Sequence, residues 1–151
     1  MDEIEKGFEK LIERIKENGK ERESLKEEVK KQEVALFARM ITLATPLVSN
    51  IGMNMLLRGK QDTKGEFYDS VFHKKKMIVL GKTDPTGYRP DDMSKKVEDQ
   101  FCVLSEEGKL FEMMFSFDGF IVDSYANPIS PKETIDRYGY DPMYMLYHAL
   151  H

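Results

Sequence analysis

The residues of this 151-residue chain whose types could do chemistry gather most densely in Lys82 to Asp92 (KTDPTGYRPDD), which holds Asp84, Tyr88, Arg89, Asp91 and Asp92. Arg89 offers a planar fork of five donors that suits a carboxylate or a phosphate, and irregular segments carried on a rigid sheet often hold binding groups. A plainer account competes. Asp84-Pro85-Thr86-Gly87 has the composition of a type I or II turn, and Asp91 could cap a short helix over residues 92–98. Further on, Asp123 is a strand acid with no evident structural role, expected on the same face as Met114. Arg89, Asp123, Tyr88 and Tyr125 are therefore the candidate ligand-binding residues. The alternative they support is a small-molecule-binding domain or an enzyme, with a pocket between sheet and helices lined by Met113, Phe115, Tyr125 and Tyr144.

His73, Lys74, Lys75, Lys76, Lys82 and Arg89 make residues 73–96 basic, which raises RNA or nucleotide binding with a tyrosine as stacking platform. No glycine-rich phosphate loop accompanies them, and lysines beside a strand commonly protect an edge. The chain carries net charges of −1 over residues 1–57, +4 over residues 58–96 and −7 over residues 97–151. An acidic total argues against general affinity for nucleic acid. His73, His148 and His151 with one cysteine do not form a metal-ligand pattern, and no cofactor motif is present. Cys102 is expected to be a buried structural thiol, aligned with Phe111 on an apolar face. A single cysteine and a charged N-terminus point to a reducing cytoplasm.

The elements that must position these groups are of two kinds. From Ile4 to Leu36 ten positions follow steps of four and three: Ile4, Phe8, Leu11, Ile15, Asn18, Arg22, Leu25, Val29, Gln32 and Leu36. Such spacing turns one helix face toward a partner, as in a coiled coil. Opposite charges off the seam, such as Glu13/Lys16 and Glu28/Lys31, add only a few tenths of a kcal/mol each. Two arrangements satisfy the pattern: one long helix that tolerates Gly19 at about 1 kcal/mol relative to Ala, or a hairpin that turns at Asn18-Gly19. The capping-box form of Ser24 to Glu27 favours the hairpin. The pattern continues through Met40, Leu43 and Leu47, and Thr45-Pro46 should end or kink the helix. Residues 47–57 are expected to form a further short helix. The uncharged run 40–57 contains Pro46, Ser49, Asn50, Gly52 and Asn54, too polar for a membrane span.

After a loop at residues 59–65 the periodicity becomes extended. Residues 67–72 and 77–80 are expected strands, followed by a three-stranded meander over about residues 99–125. Its turns would be Ser105 to Gly108, setting Leu104 opposite Lys109, and Asp118-Gly119, setting Phe117 opposite Phe120. The phenylalanine face needs a cover, which the helices would supply. Ser130-Pro131-Lys132-Glu133 should start a helix that stops at Gly139, and Asp141-Pro142 another, docking through Met143, Leu146, Tyr147 and Leu150.

The expected architecture is α+β: a helical N-terminal region (residues 1–60), as a long helix or helical hairpin, packed with an antiparallel β-meander of about 3–5 strands and short C-terminal helices (residues 61–151). The expected role is non-catalytic. The N-terminal helices would mediate homo-oligomerisation as a dimer, or bind a protein partner, through Ile4, Phe8, Leu11, Ile15, Leu25, Val29 and Leu36.

Overall fold

A computed structural model describes residues 3–85 and 87–150; among these, the side chains of residues 3, 15 and 18–23 lie outside the description. Ile15, Asn18 and Arg22 of the seam are thus outside the described side chains, and Thr86 of the expected turn is outside the described residues. The fold is α+β, with α1 (Glu3–Ile51), β1 (Met53–Gln61), β2 (Phe67–Thr83), β3 (Asp99–Ser105), β4 (Leu110–Phe117), β5 (Ile121–Pro128), α2 (Pro131–Tyr138) and α3 (Asp141–Leu150). It divides into two compact units, Met1–Leu36 and Phe37–His151.

The first unit is helical, and α1 is a single element, so the hairpin expectation gives way to one helix. Propagating a helix adds a hydrogen bond for each residue fixed, which outweighs the penalty of a single glycine.

In the second unit, Phe37, Ile41, Ala44 and Val48 are buried at spacings of four, three and four. This stripe lies one residue beyond Leu36, Met40, Leu43 and Leu47, so the continued seam is not the face that docks. Leu36 and Leu43 remain more than half exposed. The helix passes through Pro46 to Ile51 instead of ending there. The Thr45 hydroxyl donates to the Ile41 carbonyl at 2.7 Å, and burial of the stripe on either side of the proline offsets the lost backbone bond. Ser24–Ile51 is long and apolar enough to cross a membrane by length and composition alone, although its buried stripe belongs to the body's core.

Helix gives way to strand at Gly52, not near residue 60. A Cβ there would stand 2.5 Å from the Val48 carbonyl oxygen, so only glycine allows the turn. Residues 53–57, expected to be helical, begin β1. A short apolar run carries no periodicity that separates the two states.

The five strands close into an antiparallel barrel in sequence order, with β1 pairing to both β2 and β5. The two expected strands at 67–72 and 77–80 are parts of one long β2, whose first half pairs with β1 and whose second half pairs with β3. Closure changes how the phenylalanines are covered. Met77, Val103 and Met113 form a core cluster, with Met55, Phe101, Phe111 and Phe115 against it, so the sheet covers its own apolar face.

The meander β3-β4-β5 forms, with registers that differ from those expected. Ser105 and Lys109 bracket a three-residue loop with Gly108 at φ 82, which sets Leu104 opposite Leu110 and Cys102 opposite Glu112. Cys102 therefore does not pair with Phe111. At the next turn the Asp118 carboxylate accepts from the backbone N–H of Phe120 (2.9 Å) and Ile121 (2.7 Å), widening the loop. Phe117 then faces Val122, a two-residue shift that leaves each side chain on its expected face.

Outside the barrel, α2 and α3 pack on β2. The α2 start carries the expected capping box: Glu133 N–H donates to Ser130 Oγ (3.1 Å), Ser130 N–H donates to Glu133 Oε1 (3.3 Å), and Gly139 at φ 66 ends the helix. In α3 Pro142 and Leu146 are buried, whereas Tyr147, expected in the docking face, is exposed.

Candidate functional site

Residues 84–98 join β2 to β3 and contain no helix among their described members, contrary to the expectation for 92–98. Backbone bonds fold the segment back on itself: Arg89 N–H to Lys95 O at 2.9 Å and Val97 N–H to Gly87 O at 2.7 Å, with a bridge between Tyr88 and Lys96. With no helix to cap, the Asp92 carboxylate instead closes a local turn, accepting from Ser94 N–H at 3.0 Å.

This leaves Asp91 for Arg89. The guanidinium grips the Asp91 carboxylate with two bonds, Nε to Oδ1 at 3.0 Å and Nη2 to Oδ2 at 2.6 Å, while Nη1 donates to Asp123 Oδ1 at 2.6 Å. Lys95 Nζ pairs with the other Asp123 oxygen. Arg89 is only 4% exposed, a burial that an unpaired charge could not sustain. The Arg89 hydrogen bonds hold the Asp91 carboxyl below its usual range, and Asp91 in turn raises the guanidinium. Arg89 and Asp123, singled out separately, thus meet across 34 residues of sequence. Two acids and two bases neutralise one another, and the clamp fixes the 84–98 segment to β5. Tyr88 is exposed and Tyr125 half-buried, neither within the clamp. Ser116, cross-strand partner of Asp123, keeps a buried hydroxyl with no hydrogen-bond partner.

A second buried polar cluster escaped the sequence reading. Glu112, on β4, is fully buried and receives hydrogen bonds from Gln100 on β3, Arg137 on α2 and, at 3.1 Å, the Tyr138 hydroxyl. Burial raises the Tyr138 hydroxyl and pushes the neighbouring Cys102 thiol up to about 12, with the Glu112 charge adding to both. The thiol is therefore buried and protonated at neutral pH, the structural role expected of it. The available signal was Glu112 itself, a lone acid inside LFEMMF, which has no reason to sit in an apolar strand unless it is paired.

His73 Nε2 lies 2.9 Å from Ser124 Oγ, a contact that resembles a base beside a nucleophile. The serine hydroxyl, however, donates to the Leu56 carbonyl at 2.6 Å, so it accepts from the imidazole and is not activated by it. Burial lowers the His73 pKa. Three further lysines of the middle segment also have partners: Lys75 with Glu107 at 3.1 Å, Lys82 with Asp99 at 3.7 Å, and Lys76 with the Ser49 carbonyl at 3.1 Å. Among the described residues, no three His, Cys, Asp or Glu side chains gather to hold a metal.

The four residues expected to line one pocket do not converge. Met113 is in the core, and Tyr144 lines an outer depression with Lys82 and Phe101. Phe115 lines a separate cavity of about 400 Å³ to which all five strands contribute. A larger depression, about 570 Å³, runs between residues 38–42 and the β3-β4 turn. Comparisons with protein families, curated proteins and solved structures found no match to this chain.

Proposed function

We propose that the chain is a non-catalytic assembly protein of the cytoplasm that self-associates through its N-terminal helix, with the barrel as a recognition module. The observation that carries this reading is the exposure of the seam. Ile4, Phe8, Leu11, Leu25, Val29 and Leu36 lie along one helical element and are between 50% and 82% exposed in the single chain. An amphipathic helix in water draws most of its stability from packing of its apolar face. Six large apolar side chains in heptad spacing supply such a face, and a second copy of the same helix is the partner whose pattern matches by construction.

The paired charges support the same reading. Arg89, Lys75, Lys82 and Lys95 already contact carboxylates within the chain, which weakens the case for RNA or nucleotide binding through residues 73–96. Sedimentation equilibrium over a wide range of protein concentration tests the proposal. Reversible association that disappears when residues 1–35 are removed is the expected result. A full-length chain that stays monomeric throughout would refute it.

A further inference from the structure

We infer that the open cavity at the barrel binds a small organic ammonium ion, held by phenylalanine rings and rim carboxylates. The cavity measures about 400 Å³, and its walls include Phe67, Phe101, Phe115 and Phe117, one or more from each of β2, β3 and β4. Phe101 and Phe115 stand edge to face with ring centroids 6.1 Å apart. Aromatic faces carry partial negative charge and attract cations within about 6 Å of the ring centre, a mode used to recognise quaternary ammonium groups. Glu98 and Asp99 add two carboxylates to the same lining, so ring faces and formal charges favour the same sign of ligand.

The chain already displays this chemistry with one of its own side chains. Lys82, the cross-strand partner of Phe101, places its ammonium 5.4 Å from that ring's centre and 3.7 Å from the Asp99 carboxylate. Lys82 is also largely exposed, so it can swing aside at small cost. An incoming ammonium ion would take over a ring and a carboxylate that have selected a cation.

The test uses choline and its uncharged carbon isostere, 3,3-dimethylbutan-1-ol, in NMR titrations of the full chain. Choline is expected to shift signals of Phe101, Phe115 and Phe117 saturably, and to bind about tenfold more tightly than the alcohol, the upper range of a cation–π contribution at a partly desolvated site. Lys82→Met removes the internal competitor and should tighten choline binding about threefold, whereas Phe117→Leu and Glu98→Gln should weaken it by a similar factor. Lys82, Glu98 and Phe117 are all exposed, so these variants should fold, which unchanged thermal unfolding would verify. Equal affinity for the alcohol, absence of saturable shifts with choline, or weaker binding by Lys82→Met would each overturn the inference.

Discussion

Truncating Leu25 to alanine separates the seam's packing from its helicity. Alanine is the best helix former, so Leu25→Ala leaves the helix at least as favourable while removing the apolar side chain. In the single chain Leu25 is 64% exposed. Full burial of a leucine side chain contributes about 2 kcal/mol, so covering the exposed fraction contributes about 1.3 kcal/mol per chain. A symmetric dimer contains the position twice, and the substitution should cost about 2.6 kcal/mol of association, a weakening of about seventyfold. Sedimentation equilibrium reads the dissociation constant directly, and far-ultraviolet circular dichroism at dimeric concentration checks that the helix persists. Asp2→Ala, off the seam, serves as the control. If Leu25→Ala and the control associate with equal strength, the face carrying Leu25 is not the interface and the seam argument fails.

The polar clusters make further predictions. Arg89→Ala strands the Asp91 carboxylate, leaves Asp123 with Lys95 alone and should cost about 3 kcal/mol, seen as a fall in Tm of roughly 10 °C, while Arg89→Lys keeps the charge, loses the two-pronged grip and should fall between. Burial lowers the His73 pKa, so the folded state binds its proton less readily than the unfolded chain. The stability this contributes is complete above about pH 6.5 and is lost as pH falls through the folded value; His73→Asn should flatten denaturant midpoints measured across that range. Cys102, with its thiol pushed up to about 12 and no exposure, should resist iodoacetamide at pH 8 in the native protein and react once the chain is unfolded in denaturant.

Local signals in the sequence were the ones that could be read. Ser130, Pro131, Glu133 and Gly139 specify the start and stop of α2 through atoms within a few residues of one another, and that helix forms with those caps. Strand alternation likewise exposed the meander. What alternation could not give was register, because a three-residue loop at 106–108, in place of a four-residue turn at 105–108, shifts the β3-β4 pairing by one and sets Cys102 opposite Glu112. Glu112 became visible as part of a site only when α2 brought Arg137 and Tyr138 to it. Arg89 and Asp123 stand out in the sequence by residue type and position, but their meeting depends on how the 84–98 segment reaches β5, a long-range event with no local signature. Barrel closure was illegible for the same reason, since the β1-β5 pairing joins residues more than sixty apart.

Hydrogen-bond bookkeeping separates the parts of this molecule that are complete from those that need something more. The Arg89 cluster balances two acids with two bases, Glu112 receives three donors, and Ser124 donates to a carbonyl before His73 can draw on it. Groups so engaged lower the energy of the fold and would have to be torn from their partners to act on a substrate, at a cost of several kcal/mol for each buried pair broken. Two features lack that closure. The apolar seam residues described in α1, Ile4, Phe8, Leu11, Leu25, Val29 and Leu36, are exposed in heptad spacing, and the barrel cavity is an aromatic basin rimmed by acids. The first calls for a long apolar partner and the second for a small cation, so assembly and ligand recognition would rest on different residues. Leu25→Ala should therefore leave the choline affinity unchanged, and Phe117→Leu should leave association unchanged; a shift in either crossed measurement would show that one surface serves both.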